Sequence, residues 1–477
     1  MYTASVLRAG FTEISQKALA PPPLDELFLA GLENVRVIDP GLRVDVTPSD
    51  LILVSGNRKL GVTPRPDADD MRGWIATTIL LFNASEPSPD NRDPEVLFKM
   101  MFNAALAKID GYSRYAGRGS ARTNRANRNG VIGLGLTFDV VDEGLIIRST
   151  IENGPAETAG VRDGDLIVAI DDHDLAGATR DEAMRYLSGP SGSRVKLTIR
   201  HASDTQLSVA HPRRGLVIPK TVKAQRIGDV ARISVGSFNI RTASDVAATL
   251  NRLKREAKTP LSGIVLDMRG DPGGLLDQAV ALADMFLDSG TIATLSGRHP
   301  GAKQFYAASP GDIADGLPLV LVVDGKSASA SEILAAALID NERAVVVGTN
   351  TLGKGSVQTL IRLPNDGEIA LTWSRVMAPA GYFIHELGIL PTICTSGHAS
   401  GETAALTAVA GDPVGQIIDR QRWLANSGAP DERAELRRIC PAENRNDGDF
   451  DMALALKLAS DRALYARSFT TNLAESH

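Results

Sequence analysis

Short apolar runs alternate with segments of helical spacing through the second half of the chain. The runs at 263–269, 319–323 and 345–347 are rich in Val, Ile and Leu, which is typical of strands buried within a sheet. Apolar residues recur three and four positions apart at 275–283 and 333–338, and this spacing predicts helices. Such strand-and-helix units predict an α/β core whose functional residues lie at the ends of its strands.

A serine-rich segment stands between the second of these strands and the helix that follows it. Ser329 falls just ahead of the predicted helix start, and Glu332 is an acidic residue in the first turn. Unpaired N–H groups at a helix start favour negative charge, so the N–H of Ala330 is a natural oxyanion donor beside a serine nucleophile. Taken alone, the segment is more typical of helix caps.

A lysine follows in the loop after the third strand. Lys354 and Gln358 are four residues apart, so they lie on one side of an extended or a helical segment. Burial beside apolar surface could lower the lysine pKa enough for the amine to act as a base, and the Gln358 carbonyl could orient it. An exposed loop lysine is the ordinary alternative. Together with Ser329, the pattern favours a serine protease without a catalytic histidine.

The same loop matches the phosphate-binding pattern G-x-x-x-x-G-K. The residue after Lys354 is Gly355, where Ser or Thr would be needed to ligate magnesium. This difference disfavours nucleotide binding.

A glycine pair stands between the first strand and its helix. Gly273 and Gly274 would allow the backbone to approach a ligand closely. The N–H of either residue could therefore point at a substrate carbonyl, although a glycine pair alone is a weak indication.

Four segments, in this order, resemble the carboxy-terminal processing proteases, also called tail-specific proteases. They are residues 266–275, 327–333, 347–358 and 379–391. The resemblance implies a crotonase-like or ClpP-like α/β protease core. It also implies that Ser329 is the nucleophile, Lys354 the general base and Gln358 its positioning partner. Gly274 and Ala330 would be the oxyanion donors.

Two positions depart from the family pattern. The family usually has Asn at the position of Asp271 and Phe at that of Leu352. Neither departure removes a catalytic group, but Asp271 adds negative charge near the glycine pair and could shift the pH profile.

A second module resembles a PDZ domain, which this family carries between its amino-terminal region and its protease core. The resemblance rests on the segments 153–171, 183–190 and 195–199. PDZ domains bind the end of a peptide as an added strand, with backbone N–H groups around the terminal carboxylate. The resemblance implies that Leu134, Gly135 and Leu136 are peptide-binding residues. Without it, the glycines here would indicate only turns.

The chain is expected to be an α/β multidomain protein with four regions. They are a helical amino-terminal region (1–112), a PDZ-like domain (130–203), a serine protease core (204–393) and a carboxy-terminal extension (394–477). Residues 114–129, rich in Arg, Gly, Ser and Asn, are expected to form a flexible linker or lid. In the extension, helices are expected at 403–410 and 451–466, covering a sheet edge or building a dimer contact.

Composition excludes several classes of function. The 477 residues carry a net charge of −6 with acids and bases interspersed, which argues against nucleic acid as a partner. The longest mostly apolar stretch, residues 73–84, is too short to span a bilayer. Residues 1–20 show no secretory signal. The family resemblance nevertheless implies the periplasm or the cell envelope.

The two cysteines, Cys394 and Cys440, are too few for a disulfide framework but sufficient for one bridge. The sequence leaves bonded and free cysteines equally open, and a bonded pair would favour the periplasm. The seven histidines show no close ligand spacing, so we expect neither a metal nor another cofactor.

The sequence therefore predicts a serine endopeptidase that cleaves proteins near their carboxy termini. Its partners would be protein substrates with exposed carboxy termini, while an adaptor or regulatory protein and a homo-oligomer are left open. Three alternatives are a non-catalytic PDZ scaffold, an acyl-CoA enzyme of the enoyl-CoA hydratase type, and a Ser-His-Asp hydrolase that uses His385.

Overall fold

The computed structural model describes residues 2–85, 93–202, 204, 206–256, 259–397, 424, 430–445 and 449–470. Contacts divide the chain into two compact units. The first contains Met1–Thr123, Val222–Phe238 and Thr242–His477, and the second contains Asn124–Thr221 and Asn239–Arg241. The predicted helix at 403–410 lies outside the described residues.

The helices predicted from apolar spacing at 275–283 and 333–338 are confirmed. The described helices are α1 (Tyr2–Lys17), α2 (Leu24–Glu33), α3 (Met71–Ala84), α4 (Pro94–Ala107), α5 (Arg118–Asn129), α6 (Pro155–Thr158), α7 (Arg180–Leu187), α8 (Thr242–Glu256), α9 (Leu276–Asp284), α10 (Ala330–Asp340), α11 (Pro430–Leu436), α12 (Asp449–Ser460) and α13 (Arg462–Thr470). Asp93 caps α4 by accepting the N–H of Glu95 at 2.9 Å.

The strands fall into several sheets. The described strands are β1 (Leu42–Val46), β2 (Asp50–Ser55), β3 (Arg58–Pro64), β4 (Arg114–Ala116), β5 (Val131–Gly133), β6 (Leu136–Val141), β7 (Gly144–Thr150), β8 (Leu166–Ile170), β9 (His173–Asp174), β10 (Leu197–Arg200), β11 (Leu207–Ala210), β12 (Gly215–Val217), β13 (Val222–Ile227), β14 (Val230–Val235), β15 (Gly263–Asp267), β16 (Thr291–Gly297), β17 (Gln304–Ala307), β18 (Leu319–Val323), β19 (Val345–Gly348), β20 (Ser356–Arg362), β21 (Glu368–Met377) and β22 (Ile393–Cys394).

A six-stranded sheet in the order β13-β14-β15-β18-β19-β22 is the centre of the first unit. The pairs from β14 to β22 are parallel, and β13 joins the edge antiparallel. Every residue of β15, β18 and β19 is buried, because layers cover both faces of the sheet. The three strands predicted from their apolar runs are thus confirmed, and the carboxyl ends of β15, β18 and β19 lie side by side.

The two faces of this sheet bury alternate residues. Leu266, Leu321 and Val346 belong to the cluster that includes α8, α9 and α10. Val320 and Val347, on the other face, belong to the cluster that includes α12. The helix predicted at 451–466 forms as two helices, α12 and α13. Because α12 packs in this cluster, it covers a face of the sheet rather than an edge.

A smaller sheet in the order β17-β16-β21-β20 carries the amino-terminal region on its apolar side. Ile361, Ile369 and Leu371 from the β20–β21 hairpin share one buried cluster with α1 to α4. The expectation of a purely helical region was incomplete, because β1, β2 and β3 form an antiparallel sheet there. The residues of these strands are half-exposed on one face, so their pattern is less distinct than that of the helices.

The second unit has a sheet in the order β11-β10-β8-β7-β6, with β9 paired to β8. Its helix α7 begins at a capping box in which Thr179 and Glu182 bond to each other's backbone N–H groups. The compact unit extends to Thr221, beyond the expected boundary at 203.

The expected flexible linker at 114–129 is instead ordered as β4 and α5. β4 pairs with β21, and Arg122 in α5 forms an ion pair with Asp366 at 2.9 Å. Only Ala121 of α5 is buried. The prediction failed because a helix that is polar on nearly every side has no apolar stripe to reveal it.

In the described part of the chain, no helix has the length and apolar character needed to cross a membrane.

Candidate active site

The loop that carries the candidate nucleophile, residues 324–329, connects β18 directly to α10, and we call it the nucleophile loop. Ser327 closes the loop, since its hydroxyl donates to the carbonyl of Met268 at 2.8 Å and its N–H donates to Asp324 Oδ1 at 3.0 Å. Ser329 then adopts φ 57° and ψ −110°, a strained conformation for a residue with a side chain. This turn leaves the partly exposed Ser329 next to the first N–H groups of α10.

The glycine pair passes directly against this loop. A Cβ atom on Gly273 would lie 2.8 Å from the nitrogen of Ala330 and 2.9 Å from the Cβ of Ser329. A Cβ on Gly274 would lie 2.1 Å from the carbonyl oxygen of Phe238. Only glycine therefore allows this approach, which is the physical reason for two glycines in sequence.

Of the two glycine N–H groups, one is already engaged. The N–H of Gly273 donates to Asp271 Oδ1 at 2.8 Å. Within the described residues, the N–H groups of Gly274 and Ala330 donate to no acceptor. Gly274 rather than Gly273 is thus the donor that, with Ala330, has a hydrogen available for a substrate oxygen.

The lysine loop, residues 349–355, follows β19. Lys354 is half-buried, and its ammonium lies 5.5 Å from the centre of the Tyr112 ring. Burial lowers the pKa of Lys354, and the positive charge of Arg114 lowers it further, whereas Glu332 and Asp110 act in the opposite direction. A lowered pKa is what an amine needs in order to be uncharged and accept a proton near neutral pH.

Glu332 joins the two loops and is completely buried. Its Oε2 accepts the N–H of Ser329 at 2.8 Å and the N–H of Lys354 at 2.9 Å. Its Oε1 accepts the Thr351 hydroxyl at 2.5 Å and the Gly353 N–H at 2.6 Å. Burial raises the pKa of Glu332, and these four donors oppose that rise. The sequence identified this residue only as a first-turn acid, because nothing local shows that its partners come from a distant loop.

The side chains of Ser329 and Gln358 do not contact the amine of Lys354. In the part of the chain that the structure describes, neither Ser329 Oγ nor Gln358 forms a hydrogen bond with Lys354 Nζ. The Gln358 amide nitrogen donates instead to Ser356 Oγ at 2.9 Å and to Thr372 Oγ1 at 3.2 Å. The structure thus brings the backbones of Ser329 and Lys354 together, and catalytic hydrogen bonds often tighten only with substrate present.

Comparison with known proteins finds two families in the chain. Residues 229–395 match Peptidase family S41, and residues 146–201 match the PDZ domain. The carboxy-terminal-processing protease of Bartonella bacilliformis is 37% identical over 305 residues, which cover 63% of this chain and 70% of that protein. The chain belongs to the carboxy-terminal-processing protease family.

This chain covers a smaller share of other relatives. The carboxyl-terminal-processing protease of Synechocystis is 35% identical over 265 residues, covering 54% of this chain and 61% of that protein. Among solved structures, the photosystem II D1 C-terminal processing protease has 25% identity and a TM-score of 0.36, covering 66% of this chain and 85% of that one. Family membership therefore rests on the sequence relatives.

Asp271, where this family usually has Asn, is fully buried. Burial raises the pKa of Asp271 to about 8, although the hydrogen bond from the Gly273 N–H lowers it in part. The carboxyl group is therefore neutral at neutral pH and resembles the amide of Asn in charge. Asp271 also supports the nucleophile loop, since its carbonyl accepts the N–H of Ala328 at 3.0 Å.

The residues implied for peptide binding in this family lie at the start of β6 in the second unit. Leu134 is buried, and its carbonyl accepts the N–H of Ala156 at 2.9 Å. Gly135 has φ 75°, a conformation that favours glycine, and Leu136 begins β6 at the edge of its sheet. An edge strand has backbone groups available for pairing with a peptide.

His385 lies in the segment that packs on the lysine loop, and burial lowers its pKa. Among the described residues, its ring forms no hydrogen bond with a serine hydroxyl. A Ser-His-Asp chain does occur in the second unit, with Ser208 Oγ 2.9 Å from His201 Nε2 and His201 Nδ1 3.0 Å from Asp165. Ser208 lies within β11 and precedes another strand, so it is not followed by helix-start N–H groups as Ser329 is.

Proposed function

We propose that the protein is a serine endopeptidase that cleaves proteins near their carboxy termini. Ser329 is the nucleophile, Lys354 the general base and Gln358 its positioning partner. Gly274 and Ala330 supply the oxyanion hole. The observation that carries the proposal is the convergence at buried Glu332, which accepts N–H bonds from the serine and the lysine residues together.

The chemistry follows from these positions. The uncharged amine of Lys354 takes the proton of the Ser329 hydroxyl while the oxygen attacks the peptide carbonyl carbon. The N–H groups of Gly274 and Ala330 stabilise the negative oxygen that forms. Lys354 then gives its proton to the departing amine nitrogen, and the C–N bond breaks to leave an ester on Ser329. Water hydrolyses this ester with the same amine as base.

The second unit would select the substrate tail. A carboxy-terminal segment added beside β6 would pair with its free edge, and its carboxylate would approach the N–H groups near Leu134, Gly135 and Leu136. This supports a protein substrate with an exposed carboxy terminus. The disulfide between Cys394 and Cys440 supports an oxidising compartment such as the periplasm or the cell envelope.

The test uses an unstructured fluorescent reporter with varied terminal residues, in free-acid and amidated forms. Wild-type protein should cleave the free-acid reporter with a preference among tails and should cleave the amidated form more slowly. Ser329→Ala and Lys354→Ala should each lower kcat/KM on the order of 1,000-fold or more. Ser309→Ala is the matched serine control, because Ser309 is exposed and, among the described residues, its hydroxyl forms no hydrogen bond.

Two outcomes would contradict the proposal. If Ser329→Ala cleaved the reporter at the wild-type rate, Ser329 would not be the nucleophile. Binding of the free-acid tail by wild-type protein without cleavage, and without labelling by a fluorophosphonate, would indicate a PDZ scaffold rather than a protease.

A further inference from the structure

Residues 430–445 lie beyond the match to Peptidase family S41, which ends at residue 395. We call this segment the C-terminal clamp. It begins with α11, and the disulfide between Cys394 and Cys440 joins it to the end of β22. No motif in this segment indicates its role, yet it contacts both the nucleophile loop and the lysine loop.

On the lysine loop, the clamp acts through two arginines. Arg437 donates from Nη2 to the carbonyl of Thr351 at 3.2 Å and from Nη1 to the carbonyl of Leu387 at 3.0 Å. Arg433 donates to the carbonyl of His385 at 2.9 Å. His385 and Leu387 belong to the segment that packs on the lysine loop. Arg437 therefore joins the lysine loop to that segment, and Arg433 holds the same segment to the clamp.

Two glycines make room for the Arg437 side chain. A Cβ atom on Gly353 would lie 3.0 Å from Arg437 Nη1, and one on Gly388 would lie 2.9 Å from it. The planar guanidinium carries five N–H donors in a fixed arrangement, so it can bridge two carbonyls that belong to different segments.

Thr351 connects this arginine to the acid that joins the catalytic loops. While its carbonyl accepts from Arg437, its hydroxyl donates to Glu332 Oε1 at 2.5 Å and accepts the N–H of Ile389 at 2.8 Å. Glu332 in turn accepts the N–H of Lys354. A displacement of Thr351 would therefore be transmitted to the residue that carries the amine.

The clamp also supports the nucleophile loop. The N–H of Gly325 donates to the carbonyl of Glu443 at 2.8 Å, and the N–H of Arg445 donates to Asp324 Oδ2 at 3.1 Å. The other oxygen of Asp324 accepts the N–H of Ser327. One short segment thus bonds to both loops that the proposed mechanism must hold together.

We propose that Arg437 is a positioning residue for the general base: it fixes Thr351 and, through Glu332, sets Lys354 relative to Ser329. This inference rests on the proposed function. It assigns a catalytic consequence to a segment outside the family match, and it requires no contact between Arg437 and substrate.

The test compares Arg437→Ala with Arg438→Ala. Arg438 is the next residue, is exposed, and among the described residues its side chain forms no hydrogen bond, so it is a matched loss of one arginine. We expect Arg437→Ala to lower kcat on the order of 100-fold with little change in KM, since a small misplacement of a catalytic group has that effect. Fluorophosphonate labelling of Ser329 should slow in parallel, and Arg438→Ala should match wild type.

Rescue separates positioning from general destabilisation. Free guanidinium ion, at a concentration that leaves the wild-type rate unchanged, should restore part of the kcat of Arg437→Ala. Equal kcat for the two variants would overturn the inference, and so would a loss that guanidinium does not restore. If Arg437→Ala does not fold, Arg437→Lys replaces it: the donors of lysine lie on one nitrogen and lack the planar fork by which Nη1 and Nη2 reach two separate carbonyls, and wild-type kcat in that variant would overturn the inference.

Measuring Ser329→Ala in the same assay distinguishes failure of the proposed function from failure of the role proposed for Arg437. If it retains wild-type cleavage, the proposed function itself fails. If it is inactive while Arg437→Ala equals Arg438→Ala, only the role of Arg437 fails.

Discussion

The nucleophile loop and the lysine loop meet at Glu332, but they are held in different ways. The nucleophile loop is a short connection between a buried strand and a buried helix, and its own Asp324 and Ser327 close it. The lysine loop takes its bonds from other segments, among them the N–H of Glu386 and the guanidinium of Arg437. The position of the serine therefore depends in part on bonds within its own loop, in addition to those from Met268, Asp271 and the clamp, whereas that of the lysine depends on bonds from distant segments.

Replacing Glu332 breaks the link between the loops and should have the largest effect. Glu332→Gln replaces one acceptor oxygen by an amide N–H₂, which cannot accept a bond from the donors that face it. We expect kcat for the reporter to fall on the order of 100-fold, and the free energy of unfolding to fall by about 1–3 kcal/mol, since a buried donor is left without its acceptor. Both are measured on the same preparation, by cleavage and by denaturant unfolding.

The matched control is Glu342→Gln, an exposed glutamate just beyond the other end of α10. It should leave both quantities within error of wild type. If Glu332→Gln lost only stability and kept the wild-type kcat, the two loops would not need this acid to keep their catalytic positions.

The glycine pair tests the nucleophile side. Gly273→Ala would place a Cβ 2.5 Å from the Ala328 carbonyl oxygen, at a residue with φ 90°. Gly270→Ala is the control, because Gly270 has φ 70° and nothing lies within 4 Å of its Cβ position. Both should lose about 1 kcal/mol of stability from the positive φ. Gly273→Ala alone should lose a further ~1–3 kcal/mol and about 10-fold in kcat.

Equal stabilities and equal kcat values for the two alanine variants would show that the nucleophile loop moves away from the added methyl group at no cost. The loop would then be less rigid than its contacts indicate, and the contrast with the lysine loop would disappear.

The same contrast explains what the sequence could predict. The apolar runs of β15, β18 and β19 identified the sheet, and the segment before α10 made Ser329 the candidate nucleophile, because these features are contiguous in the chain. The bonds from Glu332 to the lysine loop and the contacts of Arg437 were not predicted, since folding alone brings these residues near their partners. The amino-terminal sheet and α5 were missed because half-exposed strands and a nearly all-polar helix lack a distinct apolar period.

The titration of Asp271 gives a test of the nucleophile loop by the dependence of stability on pH. Its folded pKa of about 8 lies above the 3.8 of an ordinary aspartate, so the folded state holds a proton that the unfolded chain has lost. Stability should therefore be greatest below the unfolded pKa, decline as pH rises toward 8, and level off above it, with a slope of up to about 1.4 kcal/mol per pH unit. Asp271→Asn should lack this slope.

Activity should follow the same group. Between pH 6 and 7 the Asn variant and wild type should have similar kcat, since both carry a neutral side chain. Above pH 8 the wild type should lose a few-fold more activity, because a buried carboxylate forms beside the Gly273 N–H and the nucleophile loop. Parallel pH profiles of unfolding and of kcat for the two proteins would contradict this account.

The smallest expected effect concerns the environment of the lysine. Tyr112 lies over the Lys354 ammonium and stabilises its charged form, which opposes the lowering of the pKa by burial. Tyr112→Leu keeps apolar bulk but removes the ring, so the acid limb of the kcat/KM profile should move to lower pH by less than about one unit. Tyr112→Phe keeps the ring and should leave the limb in place. A limb that moved to higher pH in the Leu variant would show that the ring acts chiefly by excluding water, and the basicity of the lysine would then depend on burial alone.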